Sequence, residues 1–304
     1  MEIPAFELSA VSKDYKVWRR LRATSRPAVR DFTLRVPRGI IFGLLGLNGA
    51  GKTTVMKLLS GILRPDRGTV TVLGHAAAEP AARARVGFLP EFPYLPLQLK
   101  ARELLGLYGR LAGLSGRHLD NEVGRVMALT GADDARPDPL RFLSKGQLQR
   151  VAMAQVFLGR PEVIFIDEPM SGLDPRGVSE MRSLVIDLRN RGVTVFLSSH
   201  QVTEVERVCD RVGIMSAGRL VREGTVGELL ALAGEHTYRV TALERGREGR
   251  WAVEDAVLDE AALAGRLDEV RRGGGRVLRI TAQHGTLEEV MLGLVAGGGG
   301  ARGA

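Results

Sequence analysis

A glycine-rich loop between a buried strand and a helix constrains the fold of this chain more than any other feature. Its sequence, Gly46-Leu-Asn-Gly-Ala-Gly-Lys-Thr-Thr54, matches the pattern G-x-x-x-x-G-K-[ST] at every position. The apolar run Ile40–Leu45 leads into the loop, and Lys52–Ser60 follows with the composition of a helix. A chance glycine-rich turn lacks these flanking elements, so the loop predicts a phosphate-binding site in an α/β fold.

The chemistry of the loop follows from its residue types. Glycines allow backbone N–H groups to turn inward as an anion nest, and the next helix directs its positive end at the phosphates. We expect Lys52 to reach the β- and γ-phosphates and the Thr53 hydroxyl to ligate Mg²⁺. The N/T-K-x-D motif with which GTPases usually read their base does not occur, and ATP is the expected nucleotide. The predicted loop contacts to ATP are Gly46, Leu47, Asn48, Gly49, Ala50, Gly51, Lys52, Thr53 and Thr54.

A second strand ends in two carboxylates. Val163–Ile166 is a short apolar run of strand length, and Asp167 and Glu168 follow it directly. A buried parallel strand delivers both residues to the sheet edge where phosphate sites lie. Asp167 is therefore the expected Mg²⁺ partner through water, and Glu168 is a candidate to activate or position the attacking water. A strand that ends in two acidic residues is weak evidence for a metal site when taken alone. It indicates one here because it accompanies the phosphate-binding loop.

A capped helix supplies another anion site. Ser144 is an N-cap candidate before the helical run Gln147–Leu158, and Gly146 leaves a backbone N–H open. A helix N-terminus of this kind attracts phosphate. In isolation the segment Leu143–Arg150 reads as an ordinary capped helix, and only its place between the other two motifs favours a ligand.

Strands alternate with helices over most of the chain, which predicts a parallel sheet covered on both faces. After about Leu232 the pattern changes to a small α+β unit, for which we predict strands at Thr237–Leu243 and Arg276–Thr281 and helices at Glu260–Arg272 and Leu287–Leu294. The predicted domains are residues 1–232, with a helical subdomain at about 92–160, then residues 233–295, and a disordered glycine-rich tail at 296–304.

Composition restricts the cellular context. Hydrophobic residues form 44% of the 304 residues, enough for a sizeable core, and the single cysteine, Cys209, reads as a small buried hydrophobe that implies no oxidising compartment. No apolar run approaches the ~18 residues of a membrane span, so a cytoplasmic protein is expected.

The net charge of +8 fits anionic partners or simply a basic proteome. The basic stretch Lys13–Arg30 predicts a solvated hairpin, with contact to anionic lipid as the alternative.

Taken in order, these motifs resemble those of the ABC (ATP-binding cassette) ATPases. The loop, S-x-G-Q before the acidic strand, Ser171–Asp174 after it and Ser199-His200 after the next strand form a specific set, and the resemblance covers roughly residues 5–225. Subunits that serve a separate membrane protein in exporters are the most similar. They often carry Lys where Lys145 stands, and they have stretches similar to Gly87–Tyr94 and to the C-terminal Thr286-Leu-Glu-Glu-Val-Met-Leu.

The resemblance implies a fold. It is the P-loop NTPase (ABC ATPase) α/β architecture, with a mostly parallel core sheet, an N-terminal antiparallel β subdomain and an α-helical signature subdomain. The small C-terminal α+β unit predicted above is added to it.

The resemblance also implies roles that the residues alone do not establish. Two cassettes pair head to tail, so the signature would contact ATP held by the partner, and Asp174 would lie at the dimer seam. His200 would hydrogen-bond the γ-phosphate, and Tyr15 would stack on adenine, with Trp18 as the other candidate. The implied signature residues are Ser144, Lys145, Gly146 and Gln147.

Glu91 departs from the family pattern, in which glutamine usually senses Mg²⁺ and couples the site to the membrane subunit. A carboxylate still ligates Mg²⁺ but adds negative charge beside the γ-phosphate. The helical stretch from about Phe92 to Arg160 would carry the docking surface for the membrane partner.

We therefore predict an ATPase with ATP and Mg²⁺ as ligands, attached to the cytoplasmic face of the membrane through a transmembrane permease subunit. It would pair with a second ATP-binding subunit, identical or not, and no nucleic acid is expected. The alternative is a soluble ABC ATPase acting on DNA or the ribosome. The chain has neither the long coiled coils of the former class nor the two cassettes usual in the latter. A P-loop kinase would leave Ser144–Gln147 and His200 unexplained.

Overall fold

The computed structural model describes residues 3–19, 22–132, 138–233, 237–245, 251–283 and 286–297. They divide into two compact units, Met1–Glu223 and Gly224–Ala304. The strands are β1 (Phe6–Arg19), β2 (Arg22–Val36), β3 (Ile41–Leu45), β4 (Arg67–Val72), β5 (His75–Ala76), β6 (Val86–Leu89), β7 (Val163–Asp167), β8 (Thr194–Ser199), β9 (Arg211–Ser216), β10 (Arg219–Thr225), β11 (Thr237–Arg245), β12 (Trp251–Asp259) and β13 (Arg276–Gln283). The helices are α1 (Lys52–Leu59), α2 (Pro80–Arg83), α3 (Ala101–Leu111), α4 (Gly116–Thr130), α5 (Lys145–Val156), α6 (Pro175–Asn190), α7 (Val202–Val208), α8 (Val226–Leu230), α9 (Glu260–Arg272) and α10 (Leu287–Gly297).

A six-stranded sheet with the order β10-β9-β3-β8-β7-β6 forms the centre of the first unit. β3 pairs in parallel with β8 and β9, and β7 pairs in parallel with β8 and β6. Every residue of β3, β7 and β8 is buried, as expected for strands covered on both faces. The register aligns Leu45 with Ser199 and Asp167 with Ser198, so β3, β7 and β8 end at one edge. The predicted P-loop α/β fold with a mostly parallel core sheet is confirmed.

An antiparallel sheet with the order β2-β1-β4-β5 packs on this core. The Phe6 ring on β1 meets Phe165 and Phe196 edge-on, with centroids 5.6 and 5.0 Å apart. All three rings are fully buried, and removing one would cost about 3–5 kcal/mol. This contact joins the two sheets into one core.

Apart from residues 20 and 21, which lie outside the described residues, the basic stretch Lys13–Arg30 forms the outer half of the β1–β2 ribbon. Its antiparallel pairing agrees with the predicted hairpin. β1 pairs with β4 only as far as Ser12. Beyond Ser12, β1 and β2 pair only with each other in the part of the chain that the structure describes. Charged side chains are compatible with such an edge because they remain in water.

Helices α3, α4 and α5 pack together into the helical part of the first unit. Arg125 binds both carboxylate oxygens of Glu122 and donates to the carbonyl of Phe157, which ties α4 to the end of α5. These hydrogen bonds with Arg125 hold the pKa of the largely buried Glu122 carboxyl below its usual value. The contact is structural and lies away from the sheet edge.

Helix α6 begins at Pro175. The Asp174 carboxylate accepts from the Gly177 N–H at 2.7 Å, and proline occupies the first turn, where its missing N–H costs nothing. The pair Asp174-Pro175 is therefore the start signal of this helix.

Cys209 packs against the core strand β3. A Cβ added to Gly43 would lie 2.8 Å from the Cys209 Sγ, so the thiol and the glycine share one tight contact. Burial raises the pKa of the Cys209 thiol far above its usual value. The thiol is therefore protonated and acts as a small buried hydrophobe, as predicted.

The second unit contains a three-stranded antiparallel sheet with the order β12-β11-β13, against which α9 packs. The two predicted strands and two predicted helices are present, but β12 was not predicted. Glu254-Asp255 interrupts the apolar alternation of that strand, which removed the sequence signal. Helix α10 continues through Ala296 and Gly297, and the rest of the predicted disordered tail lies outside the described residues.

Candidate functional site

The glycine-rich loop joins the end of β3 to the start of α1. Gly51 has φ +112°, and a Cβ at this position would lie 2.3 Å from the Ala28 carbonyl oxygen on β2. Only glycine fits this backbone and this close approach. Lys52, the first residue of α1, is 6% exposed and donates from Nζ to the Gly46 carbonyl at 2.6 Å. The loop therefore folds back on its own lysine, which is held at the start of α1.

Glu168 connects the loop to the neighbouring strand ends. Its Oε1 lies 3.5 Å from the Lys52 Nζ, and its Oε2 lies 2.8 Å from the His200 Nδ1. Glu168 has φ +50°, an uncommon value for a non-glycine residue that costs about 1–3 kcal/mol and often marks a functional site. Three residues predicted from three separate motifs thus meet around one carboxylate, with its oxygens directed at a cation and an imidazole.

Asp167 is buried and held in place by Ser198, which was not predicted from the sequence as a site residue. The Ser198 hydroxyl donates to the Asp167 Oδ1, and the Glu168 N–H donates to the same hydroxyl oxygen at 3.1 Å. Ser198 pairs with Asp167 across β7 and β8. Its position just before Ser199-His200 was the available signal, but a serine at a strand end is common. Ser198 fixes the Asp167 side chain and the Glu168 backbone relative to β8.

A pocket of about 510 Å³ opens above the loop. Tyr15 and Glu91 line it together with the loop, Glu168 and His200. The Tyr15 hydroxyl lies 3.4 Å from the Thr54 Oγ1, at the first turn of α1. Trp18 lies on β1, and its side chain falls outside the described residues. Arg26 also lines the pocket, and its place among the many arginines of the chain gave no sequence signal for a site.

The oxygen donors of the pocket are of the type that Mg²⁺ prefers. The Thr53 hydroxyl and the Glu91 carboxylate line the pocket, and the buried Asp167 lies directly before Glu168 without lining it. Hydrated Mg²⁺ commonly uses one or two carboxylates together with substrate phosphate. Within the described ranges, no three His, Cys, Asp or Glu side chains are grouped to hold a metal by themselves. The residues fit a metal site that phosphate oxygens complete.

The signature residues lie at the N-terminus of α5. The Ser144 hydroxyl accepts from the Gln147 N–H at 3.3 Å, and the Gln147 side chain accepts from the Ser144 N–H at 2.9 Å, a reciprocal capping box. A Cβ added to Gly146 would meet nothing within 4 Å, so the helix end is open. Lys145 extends over Gly172 in the loop before α6.

This helix end faces a separate pocket of about 660 Å³, which Asp174 and Gly177 also line. Arg150 and Arg176 bind the Glu180 carboxylate there, and their hydrogen bonds lower the pKa of that carboxyl. None of the described loop residues lines this pocket, and Ser144–Gln147 do not line the pocket above the loop. The two predicted phosphate sites are therefore apart within one chain.

The sequence profile of the ABC transporter family matches residues 29–171. An uncharacterized ABC transporter ATP-binding protein of Nostoc sp. is 38% identical over 281 residues, which cover 87% of this chain and 82% of the relative. A Nod factor export ATP-binding protein I of Sinorhizobium fredii is 35% identical, with 72% of this chain and 62% of the relative covered.

A solved ATP-binding subunit of an ABC transporter superimposes with a TM-score of 0.65 at 29% identity, covering 74% of this chain and 91% of that subunit. Of the helices that the structure describes, none combines the length and the hydropathy that a membrane crossing requires.

Proposed function

Because the chain belongs to the ABC transporter family of ATP-binding proteins, we propose that it hydrolyses ATP to drive a separate transmembrane subunit of an exporter. It is an ATP-binding subunit with an ATPase domain, as its family membership implies. The export direction is supported by similarity to a Nod factor export ATP-binding protein and stays part of the proposal. The observation that carries the catalytic assignment is the convergence of Lys52, Glu168 and His200.

In the proposed reaction, water attacks the γ-phosphorus of ATP, the bond to the ADP oxygen breaks, and inorganic phosphate and ADP leave. The buried Glu168 carboxylate orients the water and accepts its proton, since it lies next to the lysine that would bind the terminal phosphates. His200 holds Glu168 through Nδ1, and its ring faces the pocket to bind the γ-phosphate. Lys52 stabilises the charge that develops on the phosphate oxygens.

Bound Mg²⁺ would neutralise charge on the β- and γ-phosphates. We propose Thr53, Asp167 and Glu91 as the residues that hold it, directly or through water. Ser198 keeps the Asp167 carboxylate oriented by donating to Oδ1. The nucleotide itself would be held by Tyr15 against adenine and by Gly46–Thr54 around the phosphates.

We propose that the signature completes the ATP site of a second subunit. Ser144, Lys145, Gly146 and Gln147 present a capped helix end with a free positive dipole, which suits a γ-phosphate. Asp174 caps the neighbouring α6 and would lie at the seam between subunits. ATPase activity should then rise more than linearly with protein concentration.

The proposed docking surface for the transmembrane subunit is apolar and exposed. Tyr94, Leu111 and Phe92 are 95%, 74% and 68% exposed, and all three lie in or next to the helical part of the first unit. Large exposed apolar side chains are candidates for contact with a partner protein. Docking there would hold the chain at the cytoplasmic face of the membrane.

We also propose that residues 233–295 form an accessory domain.

Co-purification tests this function. The chain would be expressed with the membrane protein encoded beside it, and ATPase activity and membrane retention would be measured for the intact chain and for Phe92→Ala/Tyr94→Ala/Leu111→Ala. Ile62→Ala, which truncates an apolar side chain that is 59% exposed in another part of the first unit, is the matched control. We expect the triple variant to leave the membrane while Ile62→Ala stays. Equal retention of both would contradict the docking assignment, and sedimentation with ribosomes would favour the soluble alternative.

A further inference from the structure

The nucleotide pocket contains one cation that the glycine-rich loop does not supply. Arg26 on β2 lies opposite Tyr15 in the β1–β2 ribbon, and both side chains line the pocket. Residues directly opposite each other in an antiparallel pair project to the same face. Among the described residues the exposed Arg26 guanidinium has no hydrogen-bond or ion-pair partner. It is therefore an available donor group beside the residue proposed to stack on adenine.

The path of β2 brings this arginine to the loop. The Ala28 carbonyl lies so close to Gly51 that a Cβ there would approach it to 2.3 Å. Residues two apart on a strand share a face and lie about 6–7 Å apart. Arg26 thus occupies the next position outward from the point where β2 meets the loop, and an extended arginine side chain covers that spacing. Its guanidinium can reach a phosphate chain bound over the loop.

The other charges that line the pocket favour a cation at the position of Arg26. The described charged side chains are Arg26, Lys52, Glu91 and Glu168. Lys52 already lies 3.5 Å from the Glu168 carboxylate, and Glu91 adds a second negative charge. Without Arg26 these formal charges sum to −1, and with it they sum to zero. A net negative lining would repel a polyanion such as ATP.

We propose that Arg26 is a nucleotide-binding residue that contacts the phosphate groups and offsets the negative charge of Glu91. The guanidinium suits this task, because its planar donors bind phosphate oxygens in pairs and its charge is permanent. The proposal rests on the ATP site of the proposed function and adds to it a contact from the ribbon.

Isothermal titration of the intact chain tests the contact. ATP and adenosine are titrated in EDTA into the wild type, Arg26→Ala, Arg26→Lys and Lys16→Ala. We expect Arg26→Ala to weaken ATP binding about tenfold and adenosine binding less than about twofold, with Arg26→Lys in between. Lys16→Ala is the matched control: it removes one exposed cation from the same ribbon, at a position that pairs with Ser25 and does not line the pocket. It should bind ATP within about twofold of the wild type.

A charge-neutral double variant tests the offset. Glu91→Gln should tighten Mg²⁺-free ATP binding, and Arg26→Ala/Glu91→Gln should return it to within about threefold of the wild type. Equal affinities for Arg26→Ala and Lys16→Ala would overturn the contact, as would an equal loss for adenosine. A double variant as weak as Arg26→Ala would overturn the offset. A wild type that binds no ATP would instead contradict the proposed function itself, and thermal melting shows that each variant is folded.

Discussion

The two phosphate-facing regions of the chain differ in how they are built. The loop region lies at the ends of three buried strands, and its functional side chains are joined: Lys52 to Glu168, and Glu168 to His200. The signature region is an exposed helix end whose serine caps its own helix, and Gly146 is open to solvent. We propose that the first region carries the catalytic groups and that the second supplies only a site for an anion.

The difference explains why one chain has both regions without making one site. Buried strand ends fix side chains to within hydrogen-bond distances, as general acid–base chemistry requires. A helix N-terminus needs no such support, since its backbone N–H groups and dipole are sufficient for phosphate. The division fits a site made from two chains, in which one contributes the chemistry and the other closes over the phosphate.

The largest effect should come from the loop region. Glu168→Gln keeps the size of the side chain but removes its charge and basicity, so turnover should fall by at least about 100-fold while ATP affinity stays within about threefold. Steady-state ATPase assays and nucleotide titration measure the two effects. Glu79→Gln, an exposed carboxamide replacement outside the pocket, should leave both unchanged. Wild-type turnover in Glu168→Gln would remove this residue from catalysis.

A change in the signature region should act on turnover alone. Gly146→Asp places a negative charge in the first turn of α5, where it favours the helix but repels a partner's phosphate. We expect turnover to fall about 10- to 100-fold with ATP affinity of the single chain unchanged. Gly146→Ala, which adds a methyl group in open space, is the control. If Gly146→Asp weakened ATP binding by monomers, the separation of the two regions would be wrong.

The smallest effect concerns the side of the loop region that faces the ribbon. Tyr15→Ala removes the ring whose hydroxyl lies near Thr54, and stacking on a base is worth about 1–3 kcal/mol. ATP and ADP affinity should fall about tenfold, while Tyr15→Trp keeps most of it. Fluorescent-nucleotide titration measures this. Unchanged affinity in Tyr15→Ala would contradict stacking by Tyr15 and would favour Trp18 as the residue that stacks on adenine.

Much of the loop region could be predicted from the sequence, because its chemistry is local. Consecutive residues and the strand before them predict a site at Gly46–Thr54 and another at Asp167-Glu168. The alignment of β3, β7 and β8 at one edge follows from parallel pairing. The fold of the core was predictable for the same reason.

Other parts depend on contacts that no local pattern encodes. Ser198 gains its role only from the register of β7 against β8, and Arg26 only from the ribbon that brings it opposite Tyr15. The roles given to Ser144 and His200 came from family resemblance, since a capped helix and a strand-end histidine are common alone. β12 was missed because its alternation is weak and the strand is defined by its backbone pairing with β11.

The central claim is that each ATP site needs two chains. It is tested most directly by measuring turnover per chain over a wide range of protein concentration while light scattering determines the mass in the same samples. Turnover per chain is predicted to follow the dimer fraction and to approach zero in dilute monomers. Constant turnover per chain in samples that contain only monomers would contradict it.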